Sequence, residues 1–373
     1  MVLSWNGESV FALGMYEQPR TVDEWRKWSE AGINLVRCSS SDHLDRVSEW
    51  GMFGWVPVPL VLARGDDGSA LAGMAEELCD HPALAVWEGP DEVIWHAWRL
   101  TPGKPTRFWQ LPPDKAAELH RKMDEVIEGY ERGVAVLRET DPHRKVWQNE
   151  ACQSDQDSLA RCLPFLDIIG FDYYPIPEDR GRPMNLMGRY VDRFRSTGPT
   201  KGLWVVQQAF SWSSLEHEGD RTKPVAYPSV DEYRFMAWQA IAHGATGLLW
   251  WGSHAEDRPA PHLDDLMRVV AELKDLHPFL AAGVISGVQT VQDTKRFPPI
   301  LGVSCILRRA GGRTLLALVN EDPFPADAML VGLDWADPRA MRPVNEPSSP
   351  ITRVSDGYVT PMNGYEVRIY VTE

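Results

Sequence analysis

One pattern, a short apolar run followed by an amphipathic stretch of helical period, recurs eight times up to about residue 283 and leaves few folds open to this chain. The runs Phe11–Tyr16, Ile33–Cys38, Phe53–Leu62, Ala83–Trp87, Lys145–Glu150, Asp167–Pro175, Gly202–Phe210 and Gly247–Trp251 read as buried strands. Between and after them, Val22–Ala31, Asp42–Trp50, Ala70–Cys79, Asp114–Thr140, Gln156–Leu163, Leu186–Ser196, Val230–His243 and Leu263–Leu280 carry helical spacing. Gly32 and Gly51 supply the helix stops, because a glycine accepts the left-handed conformation that ends a helix. Eight such units predict an α/β chain whose residues 1–283 form a (β/α)8 TIM barrel. A doubly wound sheet would need a Gly-rich phosphate turn after its first strand, and Gly14-Met15-Tyr16-Glu17 offers none.

From about Val284 the texture changes to short alternating runs separated by turn signals such as Gly311-Gly312 and Asp356-Gly357. Residues 284–373 therefore predict a small antiparallel β-sandwich fused behind the barrel, with a stabilising role. Within the barrel the stretch Val93–Pro113 breaks the rhythm. It has four prolines, no clean period and the aromatic residues Trp95, Trp98, Phe108 and Trp109, and reads as a long binding loop or lid.

Composition removes several classes of function. A net charge of -15 argues against nucleic acid, whose phosphates need a basic face. No run of about 18 apolar residues exists to span a membrane. Met1–Gly7 shows no basic-then-apolar leader, so the expectation is a cytoplasmic protein, or a secreted one whose signal has been removed. The five cysteines are scattered and read as free, mostly buried thiols. His243, His254, His262 and His277 lack metal-ligand spacing, and neither a metal nor a cofactor is expected. Sixteen tryptophans are many for this length, and those outside core runs suit ligand stacking.

Strand ends carry the polar residues Glu17, Arg37, Glu92, Glu150, Asp172, Gln208 and His254, and a barrel would gather them at one mouth. Asp91 and Glu92, directly after the buried run that stops at Gly89-Pro90, are the first candidates for chemistry. Asp172 ends the sixth strand beside Tyr173 and Tyr174, phenols that can orient or tune a carboxylate, and is the preferred second carboxylate. Glu150, after Asn149, is the alternative. Glu17 is expected to read a hydroxyl or to pair with Arg37.

The spacing Trp87-Glu88-Gly89-Pro90-Asp91-Glu92 resembles the fourth-strand motif of the clan A retaining glycoside hydrolases, a Trp, three residues, then Asn-Glu, with Asp here for Asn. The resemblance implies that Glu92 is the acid/base, kept protonated by burial near Trp87 and Trp95 and by neighbouring carboxylates, and that the ligand is a carbohydrate. It implies that Asp91 stands where the family has an Asn that bonds a sugar hydroxyl; Asn149, Arg37, Tyr173 and Gln208 are further candidates for binding the substrate. It further implies that Trp251 is the platform under the sugar, with Trp95, Trp98 or Trp109 as walls, whereas Trp204 and Trp250 fall to core packing. The family's nucleophile is a Glu at the end of the seventh strand, where Val205-Val206-Gln207-Gln208 has only Gln. An amide cannot form a glycosyl ester. Three explanations stay open: another mouth carboxylate acts, the protein binds sugar without cleaving it, or a natural Glu has been changed to Gln. If another carboxylate acts, Gln208→Glu is expected to change little. The sugar, its linkage and the oligomeric state are left open.

Overall fold

The computed structural model describes residues 3–5, 7–99, 112–178, 182–215, 225–253, 261–285, 289–291, 301–333, 340–344 and 351–372. A hairpin, β1 (Leu3–Trp5) and β2 (Glu8–Val10), precedes the barrel and was not anticipated from the sequence. Trp5 stacks on Phe53 with ring centroids 5.2 Å apart and covers the N-terminal end of the barrel.

The eight barrel strands are β3 (Ala12–Met15), β4 (Leu35–Arg37), β5 (Phe53–Pro57), β6 (Leu84–Glu88), β7 (Lys145–Ala151), β8 (Ile168–Tyr173), β9 (Gly202–Gln208) and β10 (Gly247–Trp251). They close in chain order, all parallel, with β10 pairing both β9 and β3. Closure excludes the doubly wound alternative. Helices stand where the spacing placed them: α1 (Val22–Ala31) starts on the Thr21 side-chain cap and ends on Gly32 at φ 110°, and the helix Val230–His243 opens on a Ser229/Glu232 capping box. The long helix Pro113–Thr140 lies against the Leu60–Leu62 segment through two glycines. A Cβ on Gly133 would fall 2.0 Å from the Leu60 carbonyl oxygen, a backbone atom that cannot swing aside. Gly133→Ala is expected to cost about 3 kcal/mol in urea unfolding, the upper part of the range for overpacking.

One expectation fails at the fourth unit. Val93–Arg99 is a short helix rather than the start of a loop, and residues 100–111, with Phe108 and Trp109, lie outside the described residues, as does His254. The helix forms because its first amides have a partner: Glu150 accepts the N–H of Ile94 at 3.0 Å and of Trp95 at 3.4 Å.

Behind the barrel, two four-stranded sheets form the sandwich. One holds Gln289–Val291, Ala326–Val331, Gly357–Met362 and Thr352–Val354, the other Val303–Ala310, Arg313–Asn320, Val367–Thr372 and Met341–Pro343. Along Leu315–Val319 every residue is buried, since alternate side chains serve different cores. Leu315, Ala317 and Val319 join the barrel's outer shell, and Leu316 and Leu318 face the other sheet. At this junction His243 Nδ1 meets Asp192 at 2.9 Å and Nε2 meets Glu321 at 2.8 Å. Burial disfavours the imidazolium, but hydrogen bonds and charge from the two carboxylates outweigh it and raise its pKa to about 9. A folded pKa above the unfolded one, ~6.5, makes the contribution fully present below ~6.5 and lost as pH rises through 9. Thermal scans are therefore expected to show Tm falling between pH 7 and 10, with a smaller fall in His243→Gln.

Trp28, Trp55, Trp87, Trp147, Trp204, Trp238 and Trp250 are fully buried, so much of the tryptophan content is core, Trp204 and Trp250 included. All five cysteines are free. No helix of the described residues is long and apolar enough to cross a membrane.

Candidate active site

Strand alternation decides which strand-end residues reach the barrel axis. Leu35, Val86, Trp147, Ile168, Trp204, Val206 and Leu249 form the interior cluster, while Val36, Trp87, Val146, Ile169, Phe171, Val205 and Leu248 belong to the outer shell against the helices. Counting on by twos points Arg37, Glu88, Asn149, Asp172, Gln208 and Trp251 inward. The same count sends Gln148, Glu150, Tyr173 and Gln207 outward.

Two expected site residues, Glu150 and Tyr173, are corrected by this parity. Glu150 is fully buried, and besides the two helix amides it accepts from Gln148 Nε2 at 2.6 Å and Ser154 Oγ at 2.7 Å. With no surface at the mouth it caps a helix and is not available as the second carboxylate. Tyr173 donates its hydroxyl to the Pro183 carbonyl at 2.8 Å and packs beside Tyr190, away from the mouth. Its neighbour Tyr174 is the phenol that lies beside Asp172. Trp98 is buried in the outer shell against Trp95 and does not stand as an open wall, whereas Trp95 is half-buried on that shell. Trp87 is also on the outer side, donating its indole N–H to Asp141 at 2.9 Å, and does not bury Glu92.

Gln208 points inward but is closed off. Its Oε1 accepts the Ile176 N–H at 2.9 Å, and its Nε2 donates to the carbonyls of Ile176 at 2.7 Å and Phe210 at 2.9 Å, leaving no exposed surface. The expectation that it reads a sugar hydroxyl is withdrawn, and with it the expectation that Gln208→Glu changes little. Glu17 accepts from Gly252 N (2.8 Å), Ser253 N (3.1 Å) and Ser253 Oγ (2.7 Å), tying β3 to the segment after β10. Its expected pairing with Arg37 does not form. Arg37 Nε bonds Glu88 Oε2 at 2.9 Å instead. Glu88 is the residue that sequence reasoning missed. Ending the fourth strand at Trp87 hid it, yet two residues past Val86 is inward parity, and that was the available signal.

What remains at the mouth is a carboxylate group on two strands. Glu92 follows β6 with φ 48°, a left-handed conformation unusual for a residue with a side chain. Two bonds fix it: its N–H donates to the Asn149 carbonyl at 3.0 Å, and its own carbonyl accepts from His96 N at 2.8 Å. Asn149 Nδ2 also donates to Asp91 Oδ1 at 3.0 Å, so this one side chain and its backbone position both acids. Burial, then the charge of Asp91, raises the Glu92 pKa to about 7, against a lowering pull from Arg99. Burial, then Glu92 and Asp91, raises Asp172 well above the usual range, with the Tyr174 hydroxyl beside it pulling back. The charge of Glu92 thus bears on the titration of Asp172. Beside Asp172, Tyr174 stacks on Trp251 at 5.5 Å and 25°, and Phe210 meets Trp251 edge-on at 5.2 Å, a half-buried aromatic face at the end of β10.

A closed parallel barrel followed by a β-sandwich is a fold consistent with that of the clan A glycoside hydrolases, as the likeness to solved β-galactosidases and a family 5 glycoside hydrolase shows. Solved structures share it at low identity. A β-galactosidase from the psychrophilic Marinomonas ef1 matches at TM-score 0.52 and 17% identity over 71% of this chain and 60% of its own. A catalytic mutant of the GH42 β-galactosidase from G. stearothermophilus matches at TM-score 0.61 and 11% identity over 100% and 99%. A glycoside hydrolase family 5 protein from Bacteroides vulgatus matches at TM-score 0.59 and 14% identity over 98% and 89%. The chain spans about three fifths of the length of the Marinomonas enzyme. No family model matches the chain, and no curated protein matches it.

Proposed function

We propose that this protein cleaves an O-glycosidic bond of an uncharged oligosaccharide or glycoside, with Glu92 as general acid and Asp172 as the opposite carboxylate. Chemistry belongs to residues 1–283 in this reading, and residues 284–373 support them. The observation that supports it is the gathering of acids at the mouth: Asp172 points inward near the end of β8, Glu92 and Asp91 follow β6, and after burial it is the charge of Glu92 that most raises the Asp172 pKa. Glu92 keeps its proton to about neutral pH, as an acid for a departing glycoside oxygen must. Asp172, once ionised, faces the sugar as nucleophile at a carboxyl separation of about 5 Å, or activates a water at about 6.5–9.5 Å. The anomer released first, followed by NMR, separates the two. Trp251 and Tyr174 offer the flat face on which the CH side of a pyranose stacks.

A general acid with a pKa near 7 predicts an alkaline limb of kcat/KM close to that pH, because activity is lost as Glu92 gives up its proton. Asp91→Asn removes the second cause of that raised pKa, so the limb is expected to move to lower pH while turnover persists. A limb that stays in place detaches Glu92 from the acid role. The locked Gln208 favours a second reading, a sugar-binding barrel without turnover. Calorimetry on a panel of glycosides beside a reducing-sugar assay distinguishes them: binding with no product supports the second.

A further inference from the structure

We infer that Glu88 sets the charge selectivity of the mouth by neutralising Arg37, so that the site accepts a neutral sugar and turns away a uronide; that the ligand is a sugar at all rests on the hydrolase reading. Glu88 is 1% exposed and gives one oxygen to Arg37 Nε at 2.9 Å, while its carboxyl also lies beside Trp55 and its other oxygen makes no further hydrogen bond within 3.5 Å among the described residues. Arg37 is 41% exposed and stands over the Tyr16 ring at 5.9 Å, so its guanidinium belongs partly to the core and partly to the mouth. Its terminal nitrogens make no hydrogen bond among the described residues.

An unpaired arginine in that position would be a fork-shaped receptor for a carboxylate, the group that separates a uronide from its parent hexoside. Paired with an ionised Glu88 it carries no net charge, a state reached above about pH 7 because burial raises the Glu88 pKa to about 7 against the lowering pull of Arg37. The other charged group that acts on this pair is the acid Asp91, and Glu92 and Asp172 add two more acids at the mouth, with Arg99 acting on Glu92 from the cationic side. A ligand carboxylate would therefore lose its water and gain no net positive partner, whereas a hydroxyl accepts from a guanidinium N–H and donates to a carboxylate without that cost. Glu88 cannot reach a ligand from its buried position and acts through Arg37, so it is a positioning residue with a charge role.

The test compares p-nitrophenyl β-D-galactopyranoside with its galacturonide, and the glucopyranoside with its glucuronide, by calorimetry and by kcat/KM. The wild-type protein is expected to bind the neutral member of a pair more tightly. Glu88→Gln keeps the shape but leaves Arg37 charged, and is expected to move the neutral-to-uronide ratio at least about tenfold toward the uronide, the scale of one unit charge acting over several ångströms in a partly screened site. The double variant Arg37→Gln/Glu88→Gln, again neutral overall, is expected to return the ratio to the wild-type value. It also serves if the single variant fails to fold. A ratio unchanged in Glu88→Gln, a ratio displaced from wild type in the double variant, or no binding of either member by the wild type overturns the inference. Because the ratio is read from binding, a shift without any product counts against hydrolysis alone.

Discussion

Glu92→Gln is expected to lower kcat by about 10²–10⁴-fold while leaving glycoside affinity within a few-fold, the usual contribution of a positioned general acid. The amide preserves the shape of the side chain in its left-handed turn at φ 48°, so the backbone that presents it should survive. What it removes is the transferable proton. Two further readouts make the result specific. Substrates whose leaving group is already a weak base, such as 2,4-dinitrophenolate, need no protonation and should retain most of their rate. The alkaline limb near pH 7 should vanish, since the group that produces it is gone. Uniform loss across all leaving groups, with weakened binding, would instead mean that Glu92 only supports the turn, and the acid assignment would fall.

Gln208→Glu is expected to destabilise the protein by about 3–5 kcal/mol at neutral pH and to create no new activity. The amide at this position is used in full: one oxygen takes the Ile176 N–H and two hydrogens go to the carbonyls of Ile176 and Phe210. A carboxylate can replace the acceptor but not the donors, and it would sit with no solvent exposure against two carbonyl oxygens. Such a group takes up a proton rather than remain charged, so its folded pKa lies above the unfolded value of ~4.3. By linkage the deficit is smallest below that unfolded pKa and grows as pH rises toward the folded one. Urea unfolding at pH 5 and pH 8 should therefore show the gap to wild type widening with pH. A variant as stable as wild type at both values would show that the clamp on Ile176 is dispensable. A gain of glycosidase turnover would mean that β9 still presents a nucleophile position.

The two substitutions divide the fourth- and seventh-strand ends by what occupies each side chain. Glu92 has burial and acidic neighbours and no structural bond to its carboxyl among those described, whereas Gln208 has three bonds and no surface. Residue type and position after a strand were equal grounds for suspecting both. The same holds for Glu150 and Asp172, one residue from the end of β7 and of β8, where parity separates a helix cap from a mouth residue.

The sequence by itself determined the order of the elements, the barrel, the trailing sandwich and most helix limits, because apolar period, caps and glycine stops are local properties that neighbouring residues set between them. Only the tertiary structure decided which strand-end groups are free to meet a ligand. That depends on the face each strand turns to the axis and on what a distant segment places against it: Arg37 on Glu88, Ile176 on Gln208, Gly252 and Ser253 on Glu17. A carboxyl group's pKa and its availability are sums over neighbours brought together by closure of the ring, and no spacing along the chain encodes them.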